Sequence, residues 1–395
     1  MTRISDPIST LRKQRANHAL LGVLVVFSLQ ALTVLQMCEW IPSLKSSPTS
    51  VVLLGVGSLL TVFGLALFVF FRLGFALSWV GCFFVVVLWS AMIDLILSLA
   101  LLGWTNLGVF YYQHGEEYFT SSWGFWALLW DGTFHYSLQL YLAFTTFTRG
   151  RPNTVAGLLW SGSIINSMPV LLMGAATGVF SGGVKPSTAL NAPYIMAPIA
   201  IFQLLLVNDG QEQELLWRKK ETAPPRETDT MTAAFGSMAW GGIHALAIVL
   251  HVWRAIVVLG CAAPAATQWI QQVEPFLAEP NQGSYGFLRI QLFMYFFYYV
   301  PFHFWALIKS LKAFTSFKSS RPSRTMALWA TFVAGGYAQG QTSFIVGAAF
   351  QWIGFESLIP SSMPLPFEFW TMSVSLLTLP ALYAIWCWRH VQHLI

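Results

Sequence analysis

The sequence predicts an all-α polytopic membrane protein of about ten transmembrane helices, and three observations predict it. Only 9% of the 395 residues are charged while 56% are hydrophobic, with 32 Phe and 18 Trp. A soluble domain carries roughly 25% charged residues, so a water-facing surface of normal area cannot be covered from this supply. Apolar runs recur at about the 20-residue length that crosses hydrocarbon as a helix, and none alternates with period two as the strands of a membrane barrel do. The formal charge of +5 is small for such a chain, which argues against nucleic acid as a partner and for a topological use of Lys and Arg.

The first run, about 18–38, follows Arg3, Arg12, Lys13 and Arg15. It lacks a short apolar core ending in a small-residue cleavage site, so it reads as a membrane helix and not as a removed signal peptide. Further runs at about 51–73, 77–103, 123–147, 154–180 and 190–207 complete a first group of six. The only sizeable hydrophilic stretch, 208–232, carries both charge signs and Pro224-Pro225 and reads as a flexible linker. Runs at about 233–261, 287–313, 325–353 and 366–388 form a second group of four. With the N-terminus in the cytosol, 17 basic residues fall on the cytosolic side and only Lys45 and Lys185 on the other, Arg254 and Arg289 lying within helices. One helix missed or invented would move every later loop to the wrong side, so both termini are expected in the cytosol.

A faint internal repeat divides the chain. Glu116 in Glu116-Glu117-Tyr118-Phe119 precedes the fourth helix and Glu274 in Glu274-Pro275-Phe276-Leu277 the eighth, 158 residues apart. Asn191 stands seven residues before Pro198 on the sixth helix as Ser373 stands before Pro380 on the tenth. The expected organisation is a tail and two added helices at 1–76, a four-helix unit at 77–207, the linker at 208–232, a second four-helix unit at 233–388 and a short tail at 389–395.

Ionisable residues inside a membrane are expensive and mark functional sites by default. Asp94 lies nine residues before the end of the third helix and Asp131 eight residues after the start of the fourth, which places them roughly 14 and 12 Å deep from the same side at 1.5 Å per residue. His135 shares the helical face of Asp131, four residues on. Asn191 and Tyr194 open the sixth helix on that side, and Trp130 is one of several aromatic neighbours. Asp94, Asp131, His135, Trp130, Asn191 and Tyr194 are therefore expected to line one ligand cavity, with Asp94, Asp131 and His135 as the reacting groups in an enzyme. Desolvation and like charge disfavour a doubly ionised Asp pair. The second unit reads as chemically poorer: Arg254 falls close to the place of Asp94 and Gln291 at that of Asp131, while Gln339 and Gln341 can bond a ligand or a neighbouring helix, the helix being the preferred reading. The four cysteines form no CxxC and His244 and His251 have no evident third ligand, so no metal and no cofactor is expected. Cys38 and Cys261 fall near helix ends where the compartment permits a disulfide.

Three stretches carry a resemblance: Gly115-Glu116-Glu117-Tyr118 with Trp130-Asp131-Gly132-Thr133-Phe134-His135-Tyr136; Val273-Glu274-Pro275-Phe276 with Gln291 to Phe302; and Phe332 to Gln339. In these the sequence resembles the transmembrane 6 superfamily, whose members carry two EXPERA domains. The resemblance implies an endoplasmic-reticulum, multi-pass protein of lipid homeostasis, concerned with secretion of triglyceride-rich lipoproteins and lipid-droplet content, with the ER–Golgi intermediate compartment or the lysosomal membrane as further locations. It implies a sterol or other lipid as ligand, the bilayer as surroundings, and a homodimer or other membrane proteins of lipid metabolism as partners. In the related emopamil-binding sterol isomerase, acids on the first two helices and an Asn seven residues before a Pro line the cavity, and Asp94, Asp131 and Asn191 fall at those places. Both of its acids are Glu, Ser90 stands here where it has His, and Tyr194 where it has Trp. The expectation is lipid binding without catalysis, with a sterol Δ8–Δ7 double-bond isomerase and a lipid transporter as the alternatives.

Overall fold

In hydrocarbon a backbone N–H or C=O has no water partner, so each long apolar run must satisfy its own polar groups and closes into a helix. The structure, a computed structural model, describes residues 7–41, 43, 47–75, 78–180, 185–217, 227–278, 285–316, 322–352, 358–360 and 365–392. The first three runs are α1 (Pro7–Trp40), α2 (Pro48–Arg72) and α3 (Trp79–Leu101). Side chains one residue outside the helices begin them: Ser47 and Ser78 accept the N–H of Ser50 and Gly81, replacing a partner that the first turn lacks.

The expected fourth span is one helical rod with a wider turn inside it: α4 (Ser122–Trp130), a π-turn at Asp131–His135, and α5 (Tyr136–Arg149). The eighth repeats this design as α10 (Tyr285–Met294), a π-turn at Tyr295–Tyr299, and α11 (Val300–Ser316). Around them lie α6 (Thr154–Ala175), α7 (Ala192–Trp217), α8 (Glu227–Val258), the short α9 (Pro264–Gln272), α12 (Arg324–Ala349) and α13 (Phe367–Gln392). Among the described residues, seven helices are long and apolar enough, by length and composition alone, to cross a membrane. Of the other three expected spans, two are divided by the π-turns, and in α12 the Gln, Gly, Ser and Thr residues dilute an otherwise sufficient length. The chain is an all-α polytopic membrane protein.

Three features depart from the sequence reading. The backbone of the expected linker is helical as far as Trp217 and again from Glu227, with 218–226 outside the described residues. The helix α9 was not foreseen. Beyond α12, β1 (Phe350–Trp352) pairs antiparallel with β2 (Leu358–Pro360), a ribbon too short to leave a periodic signal in the sequence.

At the centre α6 packs on α12, with α7 against α6 and α13 against α12; α3 packs on α5 and α8 on α11, while α1 and α2 both rest on α3. The α6–α12 contact is reciprocal. A Cβ on Gly162 would collide with the carbonyl of Phe332, and one on Gly335 with the carbonyl of Leu159. Each helix thus offers a glycine to the other's backbone, three residues from the carbonyl it presents, an arrangement that membrane helices use for close approach. One turn on, Asn166 donates its amide to Gln339 Oε1 (3.0 Å) and accepts from Gln291 (3.1 Å) and from the Tyr299 hydroxyl (3.0 Å).

Candidate functional site

The site begins in the loop between α3 and α4. A π-turn at Tyr111–Gly115 and a 3-10 turn at Glu117–Thr120 fold this segment back into the bundle, leaving Glu116 1% exposed. Glu116 accepts the Tyr111 hydroxyl on one oxygen and the Asn191 amide on the other, both at 2.8 Å. Burial pushes its carboxyl up to about 7, against the opposing pull of these hydrogen bonds. On the surface Lys185 pairs with Glu117 at 2.5 Å and ties the turn Pro186–Asn191 to the same loop, which fixes Asn191 over Glu116.

Asp94 and Ser90, one turn apart on α3, Asp131 at the head of the π-turn, Glu116, Asn191 and Tyr194 line one cavity of about 130 Å³. Its walls are otherwise largely apolar, with Trp89, Ile93, Phe110 and Phe119 among them, and Ser58 and Ser167 add hydroxyls. One wall was absent from the sequence reading. Val34, Leu35 and Cys38 of α1, with Val51, Leu54 and Gly55 of α2, close one side, so the helices taken for an addition form a wall. Gln339 reaches in from α12.

His135 and Trp130 are placed differently from the expectation that they touch the ligand. Neither lines the cavity; both stand behind Asp131. His135 is fully buried, and its Nδ1 lies 2.5 Å from Asp131 Oδ1. Its Nε2 meets Ser163 Oγ at 2.7 Å and the Trp130 indole at 3.2 Å. An indole N–H only donates, so Nε2 is the accepting nitrogen and the proton sits on Nδ1, beside Asp131. The reason is local: the π-turn adds a residue to the helical circuit, which rotates His135 towards α6 and leaves Asp131, 35% exposed, at the cavity.

Glu116 is the member that sequence reasoning missed as a site residue. Its signal was present in the pairing with Glu274, which is fully buried and holds Arg254 at 2.6 Å and the Trp269 indole at 2.8 Å. Tyr111 and Trp269 precede their Glu by the same five residues. The two loops therefore repeat, with one difference: Glu274 is matched by a guanidinium, whereas Glu116 meets only neutral donors. Arg254, expected near the place of Asp94, is that counter-ion, and it also lies over Phe344 at 5.3 Å. The π-turns align Asp131 with Tyr295 in place of Gln291, which serves Asn166.

Carboxylates and an amide converging in an apolar chamber can hold a hydroxyl or an ammonium group, or exchange a proton between two acids. Among the described residues no three His, Cys, Asp or Glu side chains form a set able to hold a metal ion. No disulfide joins the four cysteines, of which Cys38 is buried and Cys261 exposed.

The sequence model of the family described as "Transmembrane 6 superfamily member 2-like, transmembrane domain" matches residues 11–215, which contain every cavity residue named above except Gln339. Transmembrane 6 superfamily member 2 of Rattus norvegicus is 30% identical over 234 residues, 56% of this chain and 56% of its own length. The protein of that name from Homo sapiens is 29% identical over 223 residues, 55% of this chain and 56% of its own. The match thus spans little more than half the length of these curated relatives. No solved structure matches. With its family model covering the first six expected spans and the cavity between them, the chain belongs to the Transmembrane 6 superfamily member 2-like family of membrane proteins.

Proposed function

We propose that the chain binds a sterol or other amphiphilic lipid in the cavity between α3, α4, α6 and α7, and that it serves lipid homeostasis in the endoplasmic-reticulum membrane, including secretion of triglyceride-rich lipoproteins and the lipid content of droplets. In this reading both termini face the cytosol, and the Glu116 loop faces the lumen. The observation that carries it is the convergence of Asp94, Asp131, Glu116, Asn191 and Tyr194 on one chamber whose remaining walls are largely apolar. At about 130 Å³ the chamber is smaller than the roughly 300 Å³ at which pockets for whole drug-sized molecules begin. It takes the polar end of the lipid, and the rest of the molecule lies between α2 and the bundle. Native mass spectrometry and lipid extraction of the full chain in mild detergent test this. A sterol or acyl lipid should co-purify, and Asp94→Asn with Asp131→Asn should lower its occupancy about tenfold, as expected when charge-assisted hydrogen bonds are lost. An empty wild-type protein, or occupancy indifferent to both changes, removes the reading.

One observation favours a second reading, isomerisation of a sterol double bond from Δ8 to Δ7. Asp94 and Asp131 face the same space, and the His135 ring stands behind Asp131, its Nδ1 2.5 Å from Oδ1. One carboxylic acid would give a proton to a ring carbon and the other carboxylate would take one from a neighbouring carbon, leaving the enzyme's proton count unchanged. A Δ8 sterol incubated in deuterated water would then yield product carrying deuterium at the protonated carbon, and unlabelled or unconverted sterol excludes this chemistry.

A further inference from the structure

The second half contains a larger cavity, of about 240 Å³, between α8, α11, α12 and α13. It is not the counterpart of the first. By the reciprocal glycine contact, Gly162 corresponds to Gly335, so Ala330, Val333 and Tyr337 on its wall correspond to Gly157, Trp160 and Ile164. The first cavity touches Ile164, Ser167, Met168 and Leu171. The second therefore starts where the first stops and runs about two turns towards the opposite end of the bundle. The place equivalent to the first cavity is occupied by Arg254, Glu274 and Phe344.

Among the described residues no charged one lines this second space, and its surface is almost wholly apolar. Directly behind that lining runs a chain of buried groups from three helices. His244 Nδ1 meets His303 Nδ1 at 2.9 Å, His303 Nε2 meets the Tyr337 hydroxyl at 2.8 Å, and that hydroxyl meets His251 Nε2 at 2.5 Å. A neutral imidazole has one donor and one acceptor, and the phenol has one hydrogen. The chain can therefore run in two directions, which leaves His244 Nε2 as an acceptor in one and as a donor in the other. That nitrogen belongs to a cavity-lining side chain 2% exposed, and it has no partner. A buried polar atom without a partner is costly unless something supplies one. A second acceptor stands across the cavity. Pro380 lacks an N–H, so the carbonyl of Leu376 loses its helical donor, and both residues lie on the wall. Between α8 and α13 the contacts are aromatic side chains, Trp240 and His244 against Tyr383 and Trp240 against Trp386. Beside this gap Leu246 is 70% exposed.

We infer that this cavity is a second lipid site, for a neutral lipid bearing a single hydroxyl, which bonds His244 Nε2 while its apolar body leaves between α8 and α13. A hydroxyl both donates and accepts, so it fits either direction of the histidine chain. A carboxylate or phosphate would enter with no cation on the wall to meet it. Sterols and diacylglycerols share this chemistry. The inference does not depend on the ligand of the first cavity.

The test uses the full chain in phosphatidylcholine nanodiscs. It is irradiated with a diazirine-bearing cholesterol, a diazirine-bearing diacylglycerol, or the O-methyl ether of the cholesterol probe, and the adducts are mapped by mass spectrometry. One of the hydroxyl probes should label α8 and α13 peptides, and which one does so identifies the source. The ether should label them about tenfold less, the usual consequence of losing one hydrogen bond in a dry site. His244→Phe keeps a ring of similar size and Leu379→Trp fills the space; both should lower labelling by a similar factor, while Asp131→Asn in the first cavity leaves it unchanged. Because the ether comparison needs no variant, it stands even if a substitution impairs folding. Equal labelling by alcohol and ether, no labelling of α8 or α13 by either alcohol, or full labelling in His244→Phe would overturn the inference.

Discussion

At the scale of single residues, Glu116 sets the pH response. Its carboxyl, pushed up to about 7 by burial from an ordinary 4.5, binds more protons in the folded chain than in the unfolded chain between those values. Stability then falls as pH rises through that window and levels off above it. The groups facing Glu116 are the hydroxyls of Tyr118 and Tyr111, the Asn191 amide and, across the cavity, Asp94; the neighbouring Glu117 is already paired with Lys185. Glu116→Gln keeps an acceptor for Asn191 and cannot ionise. Thermal unfolding in detergent should show the wild-type midpoint dropping between pH 5 and 8 and the variant changing less over that range. Equal slopes in the two proteins would place the titrating group elsewhere. The residue was hidden because a glutamate before an apolar run reads as a watery loop, and hydropathy carries no sign that a loop folds inward. Asp94, Asp131, Asn191 and Tyr194 were accessible to sequence reasoning because depth along a helix follows from residue counting. The spacing of four did bring His135 to Asp131, but the π-turn keeps His135 and Trp130 off the cavity wall, which α-helical spacing does not reveal.

At the scale of elements, the α6–α12 contact is held by absent side chains. Extra atoms in a packed contact typically cost about 1–3 kcal/mol, and here the obstacle at Gly162 and Gly335 is backbone, which cannot rotate away as a side chain can. Gly335→Ala should therefore lower the unfolding midpoint by several degrees. Gly242→Ala on α8, where nothing lies within 4 Å of the added carbon, should leave it unchanged or raise it slightly. Two equal midpoints would show that the helices sit further apart than described. Packing between distant elements also explains why the second cavity escaped the sequence reading. His244 and His251 alone present two imidazoles with no third partner, and the groups that join them, His303 and Tyr337, lie 59 and 86 residues away on other helices. Only the packing of α8, α11 and α12 brings them together.

At the scale of the whole molecule, α12 borders both cavities. Gln339 reaches the first and Tyr337, two residues before it, the second. Asn166 joins them: it bonds Gln339 directly and the hydroxyl of Tyr299, whose ring stacks on Tyr337 at 4.1 Å. Removing Asn166 leaves Gln339, Gln291 and Tyr299 short of a partner at once, and each orphaned buried group costs about 1–3 kcal/mol. Asn166→Leu, close in volume but unable to hydrogen-bond, should therefore destabilise the chain more than Ser137→Ala, whose hydroxyl merely bonds its own helix at Thr133. Loss of the α6–α12 clamp should also lower lipid occupancy of both cavities together, since Gln339 and Tyr337 would lose their common support. Midpoints measured with lipid extraction separate the possibilities. A stable Asn166→Leu protein with both lipids retained would mean that the two halves are joined by their glycines alone. Loss from the first cavity only would mean that the aromatic stack secures Tyr337 without help from Asn166.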